Sequence, residues 1–219
     1  MKRIFTHSSF SLLLPLIAAF TVSWAQPAHA NGTLGEPLIK GGDIAVAFIG
    51  ADALYSNDVY YFMSAGDVTT ATFLFNNHTS ASGTTADPDD SALNPGDEAI
   101  FGICVNRSGA SPGPACENAD DIFYSGNGTL NPDGLAHTIV WTRADYDAQF
   151  GPLDPTLFPA DYSYVVGFED ILGGGDRDFN DAVFAVKGLT VAPEPLSMTL
   201  LATGLIGIGG AGLVRKRRK

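Results

Sequence analysis

Short apolar runs of four to seven residues fill positions 31–191, and Gly, Pro, Asn, Asp or Ser interrupt them throughout. Runs of this length, rich in Val, Ile, Phe and Tyr, are typical of strands, because such side chains suit a half-buried pleated surface. Residues 144–150 could instead form one or two helical turns. The pattern predicts eight strands: Ile44–Ile49, Val59–Met63, Thr70–Phe75, Ala99–Val105, Asp121–Tyr124, His137–Arg143, Tyr162–Phe168 and Ala182–Val186.

Eight short strands in about 160 residues predict an all-β domain over residues 31–191. We expect a β-sandwich of jelly-roll type, because many short strands with turn signals between them favour that architecture. No tandem repeat is evident. The polar stretch 76–95 and the Pro-rich stretch 151–159 are expected to connect strands.

The first 30 residues have the three parts of a secretion signal. A basic start at residues 2–3 precedes an apolar core at residues 11–22, and Ala28-His29-Ala30 matches an A-x-A cleavage site. The apolar core is shorter than the ~20 residues that a membrane-spanning helix needs. We therefore expect residues 1–30 to be a signal peptide and the exported chain to start at Asn31.

Residues 192–219 have a different pattern. Pro193, Glu194 and Pro195 precede an uncharged apolar stretch at residues 196–214, and five basic residues follow at 215–219. As a helix, the apolar stretch would be about 28 Å long, close to the ~30 Å hydrocarbon core of a bilayer. Basic residues stay on the cytoplasmic side. The sequence therefore predicts one transmembrane helix at 196–214 with the acidic domain outside.

The Pro-Glu-Pro trio, the Gly-rich apolar helix and the basic tail closely resemble the PEP-CTERM sorting signal of Gram-negative bacteria. The resemblance implies recognition by an exosortase, removal of the helix, and release or attachment at the cell surface, in bacteria that tend to make exopolysaccharide. It implies a protein anchored in the inner membrane before processing and located at the surface or outside the cell afterwards. A permanent single-pass anchor is the alternative that the sequence leaves open.

The predicted domain is strongly acidic. It holds 23 Asp and Glu residues against five Lys and Arg residues, which gives a formal charge of −18. A surface of this sign repels phosphate backbones, so nucleic acid is not expected as a partner. Most of these carboxylates are expected to be solvated, but the same charge suits the binding of cations.

Cys104 and Cys116 are the two cysteines of the chain, and both lie in the predicted domain. An even count in an oxidising compartment favours a disulfide. The residues between them are turn formers, so that segment can bring its ends together. We therefore predict a Cys104–Cys116 disulfide that closes a loop.

An oxygen-rich segment precedes the last predicted strand. Gly-Phe-Glu-Asp at 167–170 ends one strand, three glycines follow at 173–175, and Asp176, Asp178 and Asn180 recur at every second position. Alternate side chains of an extended or looped chain point to one side, and calcium takes six to eight oxygen ligands. We therefore predict one calcium ion bound by Asp176, Asp178 and Asn180, with Asp170, Glu169 or Asp181 completing the shell.

This segment matches known calcium loops only in part. Counted from Asp176, the sixth position is Asp181 rather than Gly and the twelfth is Lys187 rather than Glu, so it is not an EF-hand loop. Gly-Gly-Gly-Asp-Arg-Asp matches half of a calcium-binding nonapeptide repeat but occurs once. An acidic turn without an ion, in which Arg177 neutralises a neighbour, is the alternative.

The string GFED, followed by GGGDRDFND and a short apolar strand, resembles the signature of a domain of unknown function that is common in exported bacterial proteins and often lies beside PEP-CTERM signals. Residues 75–77 and 99–102 also resemble that family, so the resemblance covers roughly residues 43–187. It implies a β-rich, calcium-associated and non-catalytic module, and it supplies no established activity.

The sequence shows no organised catalytic constellation. A G-x-S-x-G match at 109–113 lies inside the expected disulfide loop, where Pro112 blocks the helix that a nucleophile elbow needs. A glycosidase needs only two carboxylates and stays open. We expect a non-catalytic surface or extracellular-matrix protein. The alternative is a carbohydrate-binding module for self-produced exopolysaccharide, in which sugars would stack on Tyr60, Tyr61 and Tyr124, beside the domain's single Trp141.

Overall fold

A computed structural model of the protein describes residues 32–64 and 67–192, so the expected signal peptide, sorting motif and transmembrane helix lie outside the described residues. The described part contains ten strands and one α-helix. In chain order they are β1 (Thr33–Leu34), β2 (Leu38–Gly50), β3 (Ser56–Phe62), β4 (Thr72–Asn76), β5 (Thr85–Ala86), β6 (Glu98–Asn106), β7 (Asp121–Tyr124), β8 (Thr138–Thr142), α1 (Arg143–Phe150), β9 (Tyr164–Phe168) and β10 (Ala182–Val191). Within these ranges, no helix is long and apolar enough to cross a membrane.

The prediction of an all-β domain is confirmed. Each of the eight predicted strands coincides with a strand of the structure, and the predicted helical turns form α1. Strand β2 begins six residues earlier than expected, because its first half, Leu38–Asp43, pairs with the end of β10 although Lys40, two glycines and Asp43 hide the apolar pattern. Strands β1 and β5 have two residues each and were not predicted.

The strands form one antiparallel sheet in the order β1-β8-β9-β10-β2-β6-β3-β4, with β5 added to β2 and β7 added to β6. Strands β2 and β6 are joined only through the pairs Leu38–Ala99 and Ile39–Glu98. Strand β10 lies between β9 and β2; it is paired with β2 over most of its length and with β9 over its first half, Ala182–Val186.

The sheet folds over on itself. The rings of Phe184 in β10 and Phe75 in β4 have centroids 6.2 Å apart, although four strand spacings separate them in the sheet order. In a flat sheet, four spacings would hold them roughly 19 Å apart. The two ends of the sheet therefore face each other across one core, which buries Phe48, Phe101 and Phe168 together with Phe75 and Phe184.

A second apolar cluster lies on the opposite face of β8, β9 and β10. There Tyr146 of α1 packs edge-on against Trp141 of β8, with ring centroids 5.7 Å apart. Phe179, which lies in the segment between β9 and β10, is buried in the same cluster. The β9–β10 connection is thus attached to the core through one aromatic side chain.

The predicted disulfide is confirmed. Cys104 in β6 is bonded to Cys116, with Cα atoms 5.5 Å apart. The loop that it closes is also held from the sheet, because the Tyr60 hydroxyl donates a hydrogen bond of 2.9 Å to the Gly113 carbonyl. Both contacts fix this loop against the outer face of β3 and β6.

Candidate metal centre

The register of β9 and β10 brings the ends of the acidic segment together. Phe168, the last residue of β9, pairs with Ala182, the first residue of β10. The Asp181 amide also donates to the Phe168 carbonyl at 3.1 Å. Glu169 and Asp170 leave one strand where Asp181 enters its neighbour, so their side chains meet at this end of the sheet.

Three of these carboxylates form a buried group, which we call the inner triad: Glu169, Asp170 and Asp181. Their exposed fractions are 1%, 2% and 8%. One carboxylate oxygen from each lies within 4.8 Å of the others. Among the described residues, none of the ion pairs involves any of the three. Burying negative charge without a cationic partner is costly, so the inner triad needs protons or a cation.

A second group, the outer triad, consists of Glu169, Asp176 and Asp178. One oxygen from each again lies within 4.8 Å of the others, but Asp176 and Asp178 are exposed. The Glu169 carboxylate belongs to both groups, and it accepts a 3.0 Å hydrogen bond from the Arg177 amide. Both acidic groups could hold a metal ion.

Hydrogen bonds within the segment orient these carboxylates. Asp181 accepts a 2.8 Å bond from the Asp170 amide. Asn180 donates through its side-chain amide to Asp178 at 2.5 Å, and its own carbonyl accepts from the Asp52 amide at 2.9 Å. The predicted ligand Asn180 therefore lies beside Asp178 as a hydrogen-bond donor.

The backbone of the segment is strained where the carboxylates converge. Arg177 and Phe179 have φ angles of 62° and 55°, which non-glycine residues rarely adopt. Gly175 has φ 44°, and a Cβ atom at that position would overlap the Glu169 carboxylate. Such strain persists only where the surroundings hold it, and the burial of Phe179 is one such constraint. With Phe179 directed inward, Asp178 remains at the surface.

The electrostatics of the centre favour neutral carboxyl groups in the absence of a cation. Burial raises the pKa of Glu169 to about 8, and the charges of Asp181 and Asp176 add to the effect. Burial and the charge of Asp170 raise the pKa of Asp181 to about 7. Burial also raises the pKa of Asp170 and of Asp178. A bound cation would oppose each rise in pKa, because it favours the charged form of every neighbouring carboxyl group.

Three residues outside the predicted set support the centre. Asn57 in β3 donates to Asp170 at 2.8 Å. Asp133 accepts a 2.8 Å bond from the Gly173 amide and lies 2.9 Å from His137 Nε2. The other ring nitrogen of His137 lies 3.0 Å from the Glu169 carbonyl. No sequence pattern indicates these contacts, since Asn57 is 113 positions from Asp170 and His137 immediately precedes the apolar strand β8.

The aromatic residues expected to stack on sugars are not available for that role. Tyr60, Tyr61, Tyr124 and Trp141 are all buried. An exposed aromatic ring beside them is that of Phe73, which is 51% exposed and packed edge-on against Tyr60. It borders a cleft of about 250 Å³ whose other walls are Ser56, Asp58, Asn76, His78, Thr79, Gly109 and Ser111.

The chain matches one family model, described as Domain of unknown function (DUF4114), over residues 63–189. The match covers more than half of the chain and includes both cysteines and all six predicted ligands. The matched range begins after Asn57 and so does not include that residue. No curated protein and no solved structure matches the chain.

Proposed function

We propose that this chain, which belongs to the DUF4114 family of uncharacterised domains, is a non-catalytic surface or extracellular-matrix protein whose acidic centre binds calcium. The observation that carries the proposal is the inner triad, where three buried carboxylates meet without a Lys or Arg partner. Protons could neutralise them only at or below the raised pKa values. A cation would neutralise them at any physiological pH.

The chemistry of the ligands favours calcium. Both triads offer only carboxylate oxygens, which suit a hard cation, and neither contains the His or Cys that zinc and copper prefer. Magnesium demands a near-octahedral shell and keeps several waters, whereas calcium accepts irregular shells of six to eight oxygens. An ion here would tie the end of β9 to the start of β10. We therefore assign it a stabilising role.

Export is proposed from the two ends of the sequence. The signal peptide at 1–30 and the PEP-CTERM signal at 192–219 imply secretion, exosortase processing and a final place on or outside the cell. The Cys104–Cys116 disulfide supports this location, because disulfides persist in oxidising compartments. The folded-over sheet is consistent with a β-sandwich of jelly-roll type, the finer architecture that we propose for the domain.

Melting of the purified protein tests the calcium proposal. Calcium at about 100 times its dissociation constant should raise the free energy of unfolding by roughly 2.7 kcal/mol. For a domain of this size that raises the melting temperature by roughly 5–11 °C, and a chelator should reverse the change. Asp178→Ala should reduce the response, while Asp89→Ala, an exposed aspartate in another loop, should keep it. Equal melting of wild type with calcium and with chelator would show that the segment is only an acidic turn.

Intact mass spectrometry tests the proposed processing. Protein recovered from the cell surface or the medium should begin at Asn31 and end near Pro195. Recovery of the basic residues 215–219 in that fraction would contradict sorting by an exosortase.

A carbohydrate-binding module is the second candidate function, and the cleft beside Phe73 is the observation that favours it. An exposed ring next to amide, carboxylate and hydroxyl groups offers both stacking and hydrogen bonding to a sugar. A glycan array and a pull-down with the cell's own exopolysaccharide should then show binding that Phe73→Ala removes. Exposed Phe150, on the far side of Trp141, supplies the matched control as Phe150→Ala. Absence of binding to every glycan would leave the matrix role alone.

A further inference from the structure

We propose that the acidic centre holds two cations, one in the inner triad and one in the outer triad, with the Glu169 carboxylate bridging them. The inference rests on the proposed calcium function and goes beyond the single ion that the sequence suggests. Apart from the shared Glu169, it assigns separate ligands to each ion. It also adds Asn57 to the shell of the inner ion.

The first argument is the size of a single coordination shell. Calcium binds oxygen at about 2.3–2.6 Å, so two ligands of one ion lie at most about 5 Å apart. Within each triad the oxygens satisfy that limit, since they lie within 4.8 Å of one another. The five carboxylates form two such groups rather than one. One ion can therefore use one triad, and the remaining two carboxylates can bind only a second ion.

The second argument is the side chain of Asn57. It is fully buried, and its Oδ1 atom has no hydrogen-bond partner in the described part of the protein. Its Nδ2 atom is bonded to Asp170, so the same amide head lies against the inner triad. A buried carbonyl oxygen without a partner is unfavourable, and a cation supplies the missing partner. This observation concerns a strand outside the acidic segment and is independent of the clustering of carboxylates.

The third argument is charge. When ionised, the five carboxylates of the two triads carry −5 in total. One divalent ion would leave −3 in a largely buried centre, whereas two would leave −1. The repulsion that remains with one ion would oppose closure of the segment, since like charges repel strongly where water is excluded. With two ions the remaining charge is −1, which the exposed Arg177 can offset through solvent.

The two positions should differ in affinity. The inner ligands are buried and come from β3 and from the two strand ends, so their geometry is fixed by the sheet. The outer ligands Asp176 and Asp178 are exposed and belong to a glycine-rich segment that lies outside the strands. We expect tight binding at the inner position followed by weaker binding at the outer one.

Native mass spectrometry and calorimetric titration of the purified protein with calcium alone test the proposal. The wild type should bind two ions in two steps. Asp176→Asn, an exposed substitution that should not disturb folding, should remove the weak step and leave one tight ion. Asn57→Ala should weaken the tight step at least tenfold, and the control Asp89→Asn should bind like the wild type. Should Asn57→Ala fail to fold, Asp176→Asn alone decides.

Each result has a clear meaning. One ion in the wild type would overturn the two-ion inference and leave the calcium proposal standing. No bound ion would overturn both. Two ions in Asp176→Asn, or an unchanged tight step in a folded Asn57→Ala protein, would contradict the assignment of ligands.

Discussion

Two loops at different places in the sheet are held closed by different interactions. The first joins Cys104 to Cys116 and the second joins Glu169 to Asp181, each over 12 positions. Both contain non-glycine residues with positive φ. A covalent bond closes the first loop, whereas the ends of the second meet through hydrogen bonds and like-charged carboxylates. The shape of the first loop should therefore be insensitive to cations and to neutral pH, while that of the second depends on both.

Removal of the disulfide should have the largest effect on stability and none on calcium binding. Closing a loop of this length contributes about 3 kcal/mol in the chain-entropy model. Cys104→Ala/Cys116→Ala should therefore melt roughly 6–12 °C lower than the wild type. The added stability from calcium should be unchanged, because neither triad takes a ligand from the disulfide loop. A double variant that loses its calcium response would show that the loops are coupled.

The second-largest difference between the two loops should be in how the stability of the protein depends on pH. Glu169 and Asp181 have pKa values raised to about 8 and 7 in the folded chain, against about 4 in an unfolded chain. Their protonation therefore stabilises the fold fully below about pH 4, and this contribution is lost as pH rises through 7 and 8. In chelator we expect a loss on the order of 2 kcal/mol between pH 5 and 9, since one pKa unit corresponds to about 1.4 kcal/mol and the two groups share their protons.

Melting curves recorded with chelator and with calcium across this pH range measure the effect. Calcium should abolish the loss at high pH, and Glu169→Gln should flatten the curve in chelator. Parallel curves with and without calcium would contradict a cation at these carboxylates.

Matched glycine substitutions should separate backbone strain from the cation site. Gly109 in the disulfide loop and Gly175 in the acidic loop have φ angles of 79° and 44°. Alanine at position 109 should lower the free energy of unfolding by about 1–2 kcal/mol, because the left-handed region is unfavourable for residues with a Cβ atom. Alanine at position 175 should lower it further, because its Cβ atom would also overlap a carboxylate. Only Gly175→Ala places that atom against Glu169. It should therefore also lose calcium binding by calorimetry, whereas Gly109→Ala should retain it.

The smallest effect on stability is expected from a change at Asp133, which accepts a hydrogen bond from the acidic loop. Burial tends to raise the pKa of Asp133, but hydrogen bonds from the Gly173 and Leu135 amides and from His137 outweigh it and hold the pKa at about 2. Its stabilisation is therefore present above about pH 4 and lost as pH falls towards 2. Asp133→Asn should cost about 1 kcal/mol at pH 7. The difference in melting temperature should vanish near pH 2, and a difference that persists there would point to packing instead.

The sequence predicted the strands well, because alternating Val, Ile, Phe and Tyr carry a periodic signal. It could not predict β1 and β5, since two paired residues have no period. It was wrong about the tyrosines. Tyr60 and Tyr61 are consecutive residues of β3, so their side chains point to opposite faces of the sheet. In a sheet with only one covered face, one of the two tyrosines would be exposed. Both are buried because apolar clusters cover both faces of that strand.

The candidate ligands were accessible to sequence reasoning for a local reason. Glu169, Asp170 and Asp181 flank one short connection between neighbouring strands, so proximity in sequence implied proximity in space. Their division into two groups depends on the path of the glycine segment, which the residue types do not specify. Asn57 in β3 and His137 next to β8 are distant in sequence, and contacts of that range follow from the sheet order rather than from any motif.

Strand β10 has a mechanical consequence. It begins immediately after Asp181, at the acidic centre, and ends at Val191, where the chain leaves the sheet. Ten residues of extended strand separate these points by roughly 33 Å. If the chain beyond Val191 is tethered, the cation-binding end points away from the tether, and a pull on a ligand there runs lengthwise along β10. Rupture would then require the strand to slide past β9 and β2 together, which shears many hydrogen bonds at once instead of unzipping them singly.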